Sequence, residues 1–145
     1  MTGLKDLFIK AAVRTGFLIT WRNKAARRIR ESLDHYLGLV HRIGPEAGRR
    51  PVRVPPMLGV DEDMRGWSMF MILEHNSIVN RAITRTVQAL CHDEDPPAMD
   101  MKRGVMPSSD PGEEQVRVFQ DSVEEHVSAV AGLTGLRRTP TFHHT

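Results

Sequence analysis

The sequence predicts an all-α fold: a single domain over residues 1–145, built as a helical bundle from three long amphipathic helices. Apolar residues recur every three to four positions in three separate segments, which is the period of a helix with one buried face. Two segments rich in Pro and Gly separate these patterns, and no stretch alternates apolar and polar residues as a half-buried strand does. A chain of 145 residues has room for one modest core.

The first pattern extends from about Leu4 to Ile43. It is clearest in its second half, where the apolar stripe consists of Ile29, Leu33, Tyr36 or Leu37, Val40 and Ile43. Gly44-Pro45 is a helix stop. The segment 46–60 contains three prolines and is predicted to be a loop.

Charge is unevenly distributed along the chain. Residues 1–60 carry 12 Lys and Arg against 4 Asp and Glu, whereas residues 61–145 carry 8 against 14. We interpret this as a basic first helix that packs beside acidic ones. The alternative is nucleic-acid binding through a basic cluster. That cluster consists of Arg22, Lys24, Arg27, Arg28 and Arg30.

The second pattern predicts one helix over about Asp63–Leu90 with a broad apolar face. We name this face the 67–83 face. It consists of Trp67, Met71, His75, Ile78 and Ala82, widened by Phe70, Val79 and Ile83. Glu74 should point about 100° away from His75, because successive residues turn by that angle on a helix. The segment 92–112 that follows is polar, rich in Pro and Gly, and predicted to be a long connection.

The third helix has a strong start signal. Asp110 is suited to the N-cap, Pro111 to the first helical position, and Glu113 completes a capping box. Its predicted stripe consists of Val116, Phe119, Val123, His126 or Val127, and Val130. Gly132 and Gly135 offer stops.

Cys91 is the only cysteine, which excludes an internal disulfide framework and fits a reducing compartment, so we expect a cytoplasmic protein. We interpret Cys91 as structural. No apolar run is long enough to span a bilayer, so no membrane partner is expected. Gly-rich phosphate loops and G-x-S-x-G are absent.

His75 is the candidate site residue, because an ionisable ring stands at the centre of an apolar face. Such a histidine is either a neutral core residue bonded to a carbonyl or a metal ligand. A metal would need further ligands from other helices. His126 is expected to be a boundary histidine that faces solvent. The remaining histidines are expected to be exposed: His35 off the stripe, His41 in the last turn of the first helix, and His92 in a solvated loop.

Trp67-Ser68 followed after six residues by His75, near the start of an amphipathic second helix, resembles the signature of the DinB-like superfamily. The basic first helix, the acidic third helix and the tail PTFHHT also resemble one branch of that superfamily. The resemblance implies a four-helix bundle in up-down-down-up order. It also implies a metal-dependent hydrolase or thiol transferase with nickel or zinc bound by three histidines, one of them at the position of His75.

In that superfamily the other two ligands form an H-x-x-x-H pair on the fourth helix, which this sequence lacks. The adjacent pair His143-His144 points apart on a helix and makes a poor joint ligand set. We therefore expect three long helices without the fourth, and no tightly bound metal. Catalytic residues and the small-molecule substrate stay unknown. The alternative function is a non-catalytic helical module. In either case we expect a homodimer formed through the 67–83 face.

Overall fold

The computed structural model describes residues 22–100 and 103–133. These residues form helix α1 (Arg22–Ile43), the short helix α2 (Pro45–Arg49), a 3-10 turn (Met64–Gly66), helix α3 (Met69–Cys91) and helix α4 (Glu114–Ala131). Over these ranges the chain is all-α, with no strand, and the prediction of three long packed helices is confirmed. The first part of the predicted first helix and the tail from residue 134 lie outside the described residues.

The core lies where α1 packs on α4 and α4 packs on α3. Its buried members are Leu33 of α1, Phe70 and Leu73 of α3, and Phe119 and Val123 of α4. The Tyr36 ring adds an edge-to-face contact with Phe119, with ring centroids 5.5 Å apart. The stripe predicted on α1 is confirmed except at Ile43, which is exposed. The stripe predicted on α4 is buried at Phe119, Val123 and Val127.

Two hydrogen bonds show that α3 and α4 run parallel. Asn80 Nδ2 donates to Ser122 Oγ at 3.2 Å. One turn later on both helices, Thr84 Oγ1 lies 2.8 Å from His126 Nδ1. Because α3 has 23 residues, a chain that leaves its end must travel back about 34 Å before it can start a parallel helix. This return explains the long connection over residues 92–113.

The connection returns along α3 rather than looping into solvent. Ala98 and Gly104 line a cavity of about 280 Å³ together with Ala82 and Arg85 of α3. Further along, Val105 is buried and its carbonyl oxygen lies 2.6 Å from His75 Nδ1. The predicted loop thus covers part of the 67–83 face.

Helix α1 runs antiparallel to α4. Near its start, Ile29 lines a cavity with Val130 at the end of α4. Near its end, Val40 lines a groove with Val116 at the start of α4. Arg30 of α1 forms an ion pair with Glu124 of α4 at 3.3 Å. The interpretation of the basic helix as one that packs beside an acidic helix is therefore confirmed.

The stop at Gly44-Pro45 is confirmed, but the segment after it is not wholly a loop. Gly44 has a φ of 76°, which ends α1, and Pro45 begins α2 because its fixed φ suits the first helical position. α2 packs on α3 through Gly48, where an added Cβ would lie 2.9 Å from the Phe70 ring.

The predicted start of the second helix at Asp63 is wrong, because α3 begins at Met69. The Ser68 side chain accepts a hydrogen bond from the Met71 N–H at 3.3 Å, which makes Ser68 the N-cap. Trp67 precedes the helix in extended backbone and is nevertheless buried.

The predicted centre of the buried face on α3 is also displaced. The fully buried positions are Phe70, Leu73 and Ser77, with Thr84 further along, whereas Met71, His75 and Ile78 are half-buried. Ser77 and Thr84 donate their hydroxyl hydrogens to carbonyls four residues back, so they are satisfied inside the core. Hydrophobic periodicity does not detect such small polar residues.

The predicted capping box at Asp110 is wrong as well. α4 begins at Glu114, and the N-cap residue is Glu113, whose side chain makes no capping hydrogen bond. Pro111 and Gly112 are buried in the connection. Instead, Glu114 Oε1 accepts the Gly112 N–H at 2.8 Å, a hydrogen bond that lowers the pKa of Glu114. The predicted end at Gly132 is confirmed, because Ala131 is the last helical residue.

The contact between α2 and Phe70 predicts that alanine substitutions at two glycines change the free energy of unfolding in opposite directions. Gly48→Ala adds a methyl group against a fully buried ring, so we expect the free energy of unfolding to fall by about 1–3 kcal/mol. Gly38→Ala is the matched control, because nothing lies within 4 Å of its added Cβ. It should stabilise α1 by about 0.5–1 kcal/mol. Urea denaturation measures both; stabilisation by Gly48→Ala would show that α2 does not dock on Phe70.

Candidate functional site

His75 lies on α3 between a loop carbonyl and an indole ring. Its Nδ1 is 2.6 Å from the Val105 carbonyl oxygen. A carbonyl only accepts hydrogen bonds, so Nδ1 carries the proton and, in the neutral ring, Nε2 carries the lone pair. The ring centroid lies 5.0 Å from that of Trp67, at an interplanar angle of 54°. Both contacts fix the orientation of the imidazole.

The three defined residues of the W-S-x6-H pattern therefore act together. Trp67 supports the His75 ring, and Ser68 caps the helix that carries it. The spacing between Trp67 and His75 follows from this arrangement. Ser68 caps the first turn of α3, and the indole of Trp67, just before the cap, lies against the ring of His75 further along the helix. The sequence suggested the link between these residues but not its geometry.

Glu74 also binds the connection between α3 and α4, three residues beyond the Val105 carbonyl that His75 contacts. Its Oε2 accepts both the Ser108 N–H and the Ser108 hydroxyl, each at 2.8 Å. Glu74 and His75 therefore both bind the connection that returns along α3. Sequence reasoning missed Val105 and Ser108, since a contact across 30 residues with a backbone carbonyl leaves no pattern in the sequence.

The prediction that His126 faces solvent is wrong, because its ring is half-buried at the interface between α3 and α4. Thr84 Oγ1 donates its single hydrogen to the Asn80 carbonyl at 2.7 Å. His126 Nδ1–H must then donate to Thr84 Oγ1. His126 also lines an apolar cavity of about 160 Å³ formed by α1 and α4. Burial lowers the pKa of His126.

The remaining candidates lie apart from His75. Cys91 is buried and free, and His92, His35 and His41 are exposed as expected. His126 bonds Thr84, which is nine residues beyond His75, a distance of about 13 Å along the helix. The structure therefore does not bring the two half-buried histidines together.

The side chains around His75 provide too few ligands for a metal ion. His75 offers one imidazole nitrogen, whereas a protein metal site needs three or four ligands. Among residues 22–100 and 103–133, no group of three or more His, Cys, Asp or Glu side chains is placed to hold a metal ion. His143 and His144 lie outside these ranges. The described part of the chain therefore does not form a metal centre by itself.

Comparison with known proteins adds no family assignment: no family model, curated protein or solved structure matches the chain. Over the described ranges the chain is a small all-helical protein. None of the helices in the described ranges is long and apolar enough to cross a membrane.

The half-buried position of His126 predicts a pH dependence of stability. Because the folded-state pKa lies below the ordinary value of 6.5, the unfolded chain binds the proton more readily. Stability should therefore fall as pH drops below about 6.5, and it should be fully present above that pH. Chemical denaturation from pH 7.5 to 5.0 should show a smaller loss for His126→Gln than for the unmutated chain. His92→Gln, at an exposed position, is the control; equal slopes for all three proteins would contradict the role of His126.

Proposed function

We propose that this chain is a DinB-like bundle in which His75 supplies one nitrogen ligand to a divalent metal, nickel or zinc. The H-x-x-x-H pair that supplies the other two ligands in the DinB-like superfamily is absent from this sequence, so the site is incomplete in this chain. The observation that carries the proposal is that His75 is held in one orientation although it is only half-buried. Its Nδ1–H is held by a backbone carbonyl, and its Nε2 is left with the lone pair. Metal-ligating histidines in proteins are held in this way.

The helix directions give independent support. An antiparallel α1 followed by parallel α3 and α4 is the up-down-down part of the order that the DinB-like resemblance implies. Parallel packing of consecutive helices requires a long return, so it is not the default for three helices joined by short loops. The reaction implied by the resemblance, hydrolysis or thiol transfer, stays a proposal.

The metal proposal is tested by titration of the full chain with Ni²⁺ and Zn²⁺. We expect weak binding that is lost on dialysis, because the sequence lacks the H-x-x-x-H pair and His75 by itself is one ligand. On binding, the nitrogen-15 resonance of His75 Nε2 should shift while Nδ1 stays protonated. His75→Ala should abolish the binding, and His126→Ala, which removes an imidazole in the same tautomer, should leave it unchanged. Binding that survives His75→Ala would refute the proposal. One tight equivalent in elemental analysis would contradict an incomplete site.

A second candidate is a non-catalytic helical module that forms a homodimer through the 67–83 face. The observation that favours it is the residual exposure of apolar side chains on α3. Ile83 is 47% exposed, and Met71, Ile78 and Val79 are only half-buried. The returning connection covers the part of the face around His75 and Ala82 but leaves these side chains in contact with water.

This dimer is tested by light scattering at several concentrations. The unmutated chain should gain mass with concentration, and Met71→Glu should shift it to the monomer, because a charge would be buried in the interface. Gln88→Glu, which adds the same charge elsewhere on α3, is the matched control. If Met71→Glu and Gln88→Glu behave alike, the 67–83 face is not the interface.

A further inference from the structure

A projecting tip, residues 55–59, presents an apolar side chain directly to water. Leu58 is 96% exposed and Met57 is 56% exposed. The Val60 N–H donates to the Met57 carbonyl, and Gly59 has a φ of 83°, as the third residue of a type II turn requires. Leu58 is therefore held at the corner of a defined turn.

The base of this tip is pinned to the chain that follows it. The Val54 N–H donates to the Arg65 carbonyl at 2.9 Å, and Arg65 Nε donates to the Val54 carbonyl at 3.0 Å. Glu62 pairs with both Arg53 and Arg65. With two prolines at its start, the tip loses little conformational entropy when it binds a partner, and it does not fold back onto its own helices while these bonds persist.

The same chain carries a groove of about 440 Å³, which we name the end groove. Its apolar floor consists of the half-buried side chains of Leu37, Val40 and Val116 above the fully enclosed Phe70, and His41 and Gln120 add polar groups to the lining. Glu113 and Arg117 stand exposed at its rim. The tip is flanked by exposed groups of both signs, Arg50 on one side and Asp61 on the other. Charges of both signs on both surfaces allow opposite-sign pairs at the rim.

We propose that the tip of one copy inserts Leu58 into the end groove of a second copy, and that the second copy does the same in return. A two-fold pair closes on itself and buries both tips, so each exposed leucine is matched to an apolar floor. A bilayer is the less favoured partner, because Asp61, Glu62 and Asp63 follow the tip immediately and anionic lipid would repel them. This contact does not rest on the metal proposal, and it shares only Phe70 with the 67–83 face.

The first test is the dissociation constant of the dimer, measured by light scattering or sedimentation. Leu58→Asp should raise it about tenfold or more, since it places a charge on the apolar floor. Leu58 is almost wholly exposed, so this variant should keep the thermal stability of the unmutated chain. Met99→Asp changes an exposed methionine in the 92–113 connection and is the matched control, with no change expected. Met71→Glu should also leave this contact intact, which separates it from a dimer through the 67–83 face.

The second test is a mixture of two single variants, Leu58→Cys and Gln120→Cys, under mild oxidation. Gln120 lines the end groove, and Cys91 is buried and does not compete. A disulfide forms only when the two Cα atoms approach within about 7 Å. We expect the mixed disulfide to dominate over both homodimers. Three outcomes overturn the proposal: no crosslink with a monomer at every concentration, crosslinks between two Leu58→Cys chains only, or Leu58-dependent sedimentation with phosphatidylserine vesicles.

Discussion

The parallel packing of α3 on α4 is the constraint on which the rest of the structure depends. Phe70 and Leu73 of α3 meet Phe119 and Val123 of α4 in the core, and α1 then closes the open side. Because two consecutive helices run in the same direction, the chain must return along α3 before α4 can begin. The return places residues 98–100 and 103–108 against α3, which buries Val105 and brings its carbonyl oxygen to His75. The candidate site is thus a consequence of helix direction.

Polar side chains help to fix the register in which α3 and α4 align. Asn80 bonds Ser122, and His126 bonds Thr84, at successive turns of the same interface. A shift of either helix by one turn would leave a half-buried amide or imidazole without its partner, at about 1–3 kcal/mol for each buried group. Ser122 is fully buried, and its hydroxyl also bonds the Phe119 carbonyl, so its small side chain is satisfied where the helices approach closely. An apolar interface of the same area would permit such a shift more easily.

How far the sequence predicts this structure depends on how local each signal is. The stop at Gly44-Pro45 and the stripe of α4 are local, and both were predicted correctly. The starts of α3 and α4 were predicted too early in the sequence. The Ser68 side chain accepts the Met71 N–H and the Glu114 side chain accepts the Gly112 N–H, so both helices begin later. The sequence singles out His75 as the candidate residue, but the hydrogen-bond partner of its ring, a backbone carbonyl 30 residues away, depends on tertiary structure alone.

His75 and His126 share a tautomer, yet their surroundings give them different chemistry. His126 is held by a side chain of the neighbouring helix and lines an apolar cavity, so its protonation opposes packing. His75 is held by the returning connection, and the Trp67 ring lies against its own. Its Nε2 direction is therefore tied to the position of Val105 and, through the Glu74–Ser108 bonds, to the connection as a whole. Any movement of that segment would reorient the free nitrogen of His75, whether the nitrogen binds a metal or faces a partner.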